Sequence, residues 1–496
     1  MTQTNGNRHV KRIFGSKSHR RIRWGLLLVL GGLILGGGLP KHAVGAQTEK
    51  STPTDQKTVS VTVYNNDLGL VKDVRGLRLP RGVLDLKFEG VAAKIDPTSV
   101  HIRSLTHPDD LAVLEQNFEF DLISPSKLME KYLGHTIELV RMIDEKEVTN
   151  QAKLIGIEGG YVYEMDGKIA VNPPGRVVLP ELPQGLISKP TLVWMLENGA
   201  PEHTVEASYL TGGMNWRSNY VMVLSEDDKA IDLSGWVTID NRSGATYEDA
   251  SVKLVAGDVH RVPEPRKGRR LADGVREMQV TAGAPQFEER AFFEYHLYTL
   301  QRKSTIKDNQ TKQIGLLDSE NVSVEKSYLY QPRRSYWFSS MSGPDKTTKV
   351  GVFLTLDNSE ENGMGMPLPK GVVRVYKKDE DEALQFIGED SIDHTPKDEK
   401  IRVKLGDAFD IVGERVQTRY RVLATGHLYE SSYKVTLRNH KDEAVVVSVI
   451  EMIPGDWEII EKSHEYEKES SNRVRFDVPI EENGSAELTY TVRIKY

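Results

Sequence analysis

Apolar and polar residues alternate with a period of two along most of this chain, and the alternating runs are rich in Val, Ile, Thr and Tyr. Val59, Val61 and Val63 begin the pattern, Leu84, Leu86 and Phe88 repeat it, and Ala486-Glu487-Leu488-Thr489-Tyr490-Thr491-Val492-Arg493-Ile494 closes it. Successive side chains of a strand point to opposite faces, so this spacing puts one face of each segment in a core and the other in water. Helical signals are few. The expected fold is therefore all-β: several antiparallel β-sandwich modules of immunoglobulin-like type, a small barrel-like insert, and one or two short helices.

The best helix signal is Ser124-Pro125, opening a stretch with Leu128, Met129, Tyr132 and Leu133 on one side and ending at Gly134. Serine at the N-cap, proline at the first helical position and glycine just past the end each meet a need of a helix terminus. From Thr136 to Val178 short strand patterns follow, broken by Gly159-Gly160 and by Asp166-Gly167, a strong two-residue hairpin signal. By composition the chain divides into a signal segment (1–46), a polar leader (47–57), an N-terminal β region (58–122), a short helix with a small barrel-like β region (123–185), and the first part of a sandwich (186–262). A basic, then Gly/Pro/Ala-rich linker (263–286), a further β region (287–410) and a C-terminal sandwich (411–496) complete it.

One phrase recurs: apolar, Thr, apolar, any residue, Asn. It occurs at Val61–Asn65, Val237–Asn241, Leu354–Asn358 and Val435–Asn439, at spacings of 176, 117 and 81 residues. Unequal spacing excludes a solenoid or propeller. Two readings stay open: duplicated sandwich modules, or a strand followed by an Asn that tolerates the left-handed conformation of a turn.

Residues 1–23 carry seven Lys and Arg residues and no acid, the apolar run Trp24–Leu39 follows, and Val44-Gly45-Ala46 supplies small residues for cleavage. That order is expected of a secretory signal peptide, and the alternative is an uncleaved N-terminal anchor. Eight of the 65 basic residues and none of the 72 acidic ones lie in 1–46, so the remainder carries a net charge of about −15 against −7 for the whole chain. An acidic surface disfavours nucleic acid and anionic lipid. The expected location is periplasmic or extracellular, with membrane contact at most through an uncleaved N-terminal segment. Zero cysteines exclude disulfide frameworks, Cys-ligated zinc, iron–sulfur clusters and cysteine nucleophiles.

No P-loop, H-E-x-x-H, G-x-S-x-G, dinucleotide fingerprint or EF-hand spacing is found, which leaves only enzymes whose residues are dispersed. The densest polar constellation is Glu389-Asp390-Ser391-Ile392-Asp393-His394. Its Glu389, Asp390, Asp393 and His394 have the donors for a divalent cation or an acid/base pair, and followed by Thr-Pro they equally suit a structural turn. No other cofactor is evident. Trp216, Tyr220 and Trp236 suit either a sugar-stacking surface or a sandwich core, as do Tyr328, Tyr330, Tyr336 and Trp337.

Tyr209–Trp216, Asn241–Ala245 with Leu254–Asp258, and Val372–Tyr376 with Gln385–Asp390 resemble the exported bacterial proteins called mucoidy inhibitor A-like, whose C-terminal half is a domain of unknown function. The likeness spans roughly Val205 to Tyr496, while Val61–Leu70 and Gln116–Gly134 are similar to the leading region of a shorter subgroup. Longer members carry a coiled coil that has no counterpart here, so partner binding through such a coil does not carry over. The resemblance implies no catalytic residues. The expected function is a binding or structural module of the cell envelope without catalysis, partnered by an envelope protein or a glycan. The alternatives are an envelope hydrolase of polysaccharide or peptide with dispersed carboxylates, and an assembly or chaperone-like envelope partner.

Overall fold

The computed structural model describes residues 47–143, 145–257, 259–260, 286–332, 337–341, 343–345 and 349–495. The expected signal segment 1–46, the 263–286 linker apart from Gln286, and Tyr336 lie outside the described residues. The protein is all-β, with five sheets and one α-helix among the described residues. No helix among them is long and apolar enough to cross a membrane.

The first sheet orders its strands Gln47–Ser51, Gly82–Glu89, Thr191–Asn198 and Leu111–Glu119. The second places Phe287–Phe292, Tyr295–Leu300, Tyr247–Ala256, Gln56–Tyr64, Leu68–Arg78, Glu202–Thr211 and His101–Ser104 side by side. The third runs Gln310–Ser323, Ala230–Asn241, Met214–Leu224, Gly371–Lys378, Leu384–Ile392. These three share one core. The Leu68–Arg78 strand touches both neighbouring layers: a Cβ on Gly69 would come within 2.7 Å of the Met214 sulfur, and the Arg75 guanidinium lies 3.5 Å over the Phe88 ring. Alternation is strict where the expectation placed it, with Val59, Val61 and Val63 buried between more exposed partners.

Most strand pairings among the described residues are antiparallel, yet four are parallel: 47–51 with 82–89, 56–64 with 247–256, 214–224 with 371–378, and 325–330 with 445–452. The insert has its own sheet and its own core, in which Met129 and Tyr132 pack on Ile137, Leu139, Leu154 and Tyr163. Its ladder is open, ending at Lys168–Val171 on one side and Arg176–Val178 on the other. The helix Pro125–Lys131 starts as expected, with the Ser124 hydroxyl accepting from the Lys127 N–H at 3.2 Å. Asp166 and Gly167, with φ of 48° and 73°, make the expected tight hairpin.

The C-terminal sheet is a sandwich folded from nine strands. Its longest strand, Lys400–Ala424, serves two cores, since Ile401 and Val403 belong to the first and Ile411 to the second. At the centre of the second core, Arg415 and Glu451 are fully buried as an ion pair at 2.8 Å. The Tyr490 hydroxyl donates to the same carboxylate at 2.6 Å, and the Tyr433 ring lies 3.8 Å from the guanidinium carbon.

The recurrent Asn does not serve as a left-handed turn residue, because none of the four has positive φ. Asn241, Asn358 and Asn439 are completely buried, and their amides fasten separate loops at the ends of sandwiches. Asn241 donates to the carbonyls of Ala245 (2.9 Å) and Lys307 (3.1 Å) and accepts from the Ser243 N–H (3.1 Å). Asn439 repeats the arrangement with Glu443, Glu481 and the Lys441 N–H, and Asn358 with Met366, Pro396 and the Gly365 N–H. Asn198 is a further case, donating to Leu79, Pro80 and Ala200 and accepting from the Ala200 N–H. It escaped the sequence pattern because Met195 stands where the phrase has Thr. Asn65 departs from this arrangement, its Oδ1 being buried without a partner among the described residues.

Candidate functional site

The acidic constellation at 389–394 does not converge. Neighbouring residues of a strand face opposite ways, and here each polar group meets a different partner. Glu389 pairs with Arg374 at 3.3 Å across the hairpin. Asp390 accepts from its neighbour Ser391 N–H and from the Lys404 N–H, both at 2.8 Å. It thereby ties the last strand of the third sheet to the long strand 400–424. Gly388 allows the same close approach, since a Cβ there would stand 2.1 Å from the Leu405 carbonyl oxygen. The backbone carbonyl of Asp393 accepts from the Thr395 hydroxyl at 2.9 Å, and His394 Nδ1 accepts from the Lys370 N–H at 3.2 Å. The segment therefore shapes a corner. Among the described residues no group of three or more His, Asp or Glu is placed to hold a metal ion.

The aromatic candidates divide in the same way. Trp216 is buried and donates its indole N–H to the Val255 carbonyl at 3.1 Å, and Tyr220 is buried with its hydroxyl on the Pro369 carbonyl at 2.7 Å. Burial pushes the Tyr220 hydroxyl pKa upward, so it stays a neutral donor. Tyr330 and Trp337 fill the C-terminal core. Trp236 sits half-buried on the other side of its strand, paired with Asn219 and Gly315. Of the aromatic candidates among the described residues, Tyr328 alone lines one of the two clefts described below.

The polar side chains that do converge lie elsewhere. A cleft of about 330 Å³ opens where the third sheet meets the C-terminal sandwich. The turn after Met214–Leu224 brings Asp228 into it, in the left-handed conformation with φ of 60°. Asp228 receives Lys326 and Lys377, each at 2.5 Å. Asp407 receives Lys404 at 3.1 Å and Lys349 at 3.3 Å. Lys441 binds the Tyr328 hydroxyl at 3.0 Å and the Glu443 carboxylate. A second cleft of about 320 Å³, lined by Glu325, Asp357, Glu361 and Lys400 among others, lies beside the strands Glu325–Tyr330 and Lys349–Asp357.

Burial alone would raise the pKa of Asp228, but the hydrogen bonds from Lys326 and Lys377 outweigh it and hold the carboxyl below its ordinary 3.8. Asp407 is held down likewise, burial being outweighed by Lys404 and Lys349. A depressed folded-state pKa contributes stability that is complete above the unfolded pKa and is lost as pH falls through the folded one. Thermal unfolding is thus expected to lose stability with acid below about pH 4, and Asp228→Asn to flatten part of that slope. An unchanged acid slope in D228N would show that the pair contributes nothing.

One buried set has the form of a nucleophile and base. His203 Nε2 faces two oxygens, of Asn198 at 2.8 Å and Ala200 at 3.0 Å, so it carries the proton, and Nδ1 accepts from the Ser104 hydroxyl at 2.9 Å. Burial is the main cause that lowers the His203 pKa below 6.5. Ser104 and His203 are each only 3% exposed and line neither cleft. They belong to the Asn198 fastening.

Neither a scan of family models nor a search of curated proteins returns a match to this chain.

Proposed function

We propose that this chain is an exported cell-envelope protein of mucoidy inhibitor A-like type, acting as a non-catalytic binding module with a rigid multi-sandwich scaffold. The observation that carries the reading is the state of the cleft carboxylates: Asp228 and Asp407 are each committed to two lysines. A general base must be free to take a proton near neutral pH, and carboxylates held below their ordinary pKa by paired ammonium groups are poor at it. Such a cleft suits recognition better than turnover. Export rests on the order of basic, apolar and small residues in 1–46.

The test uses the full-length gene with a C-terminal tag. Cell fractionation should recover the product outside the cytoplasmic membrane, with an intact mass beginning at residue 47. The purified product should retain ligand on an array of envelope glycans and peptides and release no products detectable by mass spectrometry. Cytoplasmic full-length chain would sink the export part, and products would sink the binding part in favour of the hydrolase. The assembly-partner reading draws support from the Leu111–Glu119 strand, which ends its sheet with Val113 and Leu114 more than 40% exposed. Co-purification with an outer-membrane or secretion component would favour it.

A further inference from the structure

Phe409 is the most exposed large apolar side chain among the described residues, at 94%. An ordinary strand would not leave it there. In the ladder between Lys349–Asp357 and Lys400–Ala424, Gly351 faces Asp407 while Lys349 faces Val412, so two steps on one strand oppose five on the other. The extra residues bulge outward and carry Phe409 to the cleft, whereas Ile411, two residues on, is buried. Bulges of this kind re-aim a side chain and cluster beside functional sites. A phenyl ring left in water forgoes the stabilisation that burial would give it.

The rest of the lining fits a ring that carries a negative charge. Leu224, Ile387 and Leu405 supply apolar wall. The Tyr328 ring has the ammonium groups of Lys326 and Lys441 at 5.6 and 5.5 Å from its centroid. Among the described residues the lining itself balances, Lys326, Lys377 and Lys441 against Asp228, Asp407 and Asp410, and counting their ion-pair partners Lys349, Lys404 and Glu443 around the cleft leaves one positive charge in excess. That local excess lies in a chain whose net charge is −7.

We infer that the cleft binds a small aromatic monocarboxylate, its ring stacked on Phe409 and its carboxylate on the lysine ammonium groups. The inference rests on the binding reading above and specifies its ligand class. A monoanion matches an excess of one, whereas a phosphate dianion would leave the site negative. Stacking adds to simple burial, and a charge-assisted contact strengthens further where water is partly excluded.

Isothermal titration of the full exported chain with phenylacetate, and with phenylacetamide as its neutral isostere, tests this. Phenylacetate should bind, the amide about tenfold or more weakly, and raised salt should weaken the acid alone. Phe409→Ala should weaken phenylacetate about tenfold with no change in melting temperature, because the ring packs on little of the fold. Lys441→Gln should also weaken the acid while leaving the amide unchanged. No binding of phenylacetate, equal affinity for acid and amide, or an unaltered Phe409→Ala variant would each overturn the assignment while leaving the binding reading standing. Mass spectrometry of the same samples reads the other risk: conversion of the probe would overturn the binding reading itself.

Discussion

Glu451→Ala should lower the stability of the protein by about 3–5 kcal/mol, the cost of stranding a buried charge without its partner. Arg415 cannot escape that cost by losing its proton. In the intact pair burial disfavours its charge, but Glu451, Tyr490 and Tyr433 hold its pKa above the ordinary range; with Glu451 gone, a guanidinium, which proteins do not deprotonate, is left charged and without that partner. Urea unfolding followed by tryptophan fluorescence measures the loss, and Trp337, whose ring lies 5.1 Å from the guanidinium carbon, is one of the six tryptophans that contribute to the signal. The double replacement Arg415→Met with Glu451→Leu removes both charges and should recover most of the loss, since apolar groups of similar size can replace a buried pair at little cost. A single variant within about 1 kcal/mol of the parent would mean that water reaches the pair.

Asn241→Leu is expected to cost about 2–4 kcal/mol, since the number and branching of side-chain heavy atoms are kept while the Ala245 and Lys307 carbonyls and the Ser243 N–H lose their partner. Asn439→Leu should behave alike for the same reason at the other sandwich end. Asn65→Leu is the control. It shares the sequence phrase but lacks that set of bonds, so its effect should stay within about 0.5 kcal/mol. Equal losses at 65 and 241 would show that the phrase acts through strand propensity and not through the amide.

These four asparagines also show what the sequence made legible. The phrase was visible and its place at strand ends was correct, but a left-handed φ was the wrong reason for it: Asn241 and Asn439 accept from the N–H two residues on and also donate to carbonyls of separate loops. Local signals were reliable where one residue type meets one local requirement, as at Ser124 and at Asp166-Gly167. Strand neighbours were not legible. Alternation decides which face of Val61 is buried, but it is silent on whether the next strand is 68–78 or 247–256, and here it is both.

The cleft was hidden for two reasons. Asp228, Lys326, Lys377 and Lys441 come from four distant segments, each unremarkable by itself. In Asp407-Ala408-Phe409-Asp410-Ile411 simple alternation puts Phe409 and Ile411 on one face, and only the bulge separates them. The 389–394 cluster drew attention by density along the chain, yet density in sequence disperses across a strand.

The parallel pairing of 56–64 with 247–256 has a consequence for when the chain can fold. The Ser60 hydroxyl bonds a carbonyl 191 residues further along. At roughly 5–20 residues per second of synthesis, that neighbour is made about 10–40 s after the first strand. For that interval the valines at 59, 61 and 63 have no complete sheet to enter. The nascent chain must stay open and guarded against self-association, so holdase demand during biosynthesis should be greatest before residue 256 emerges.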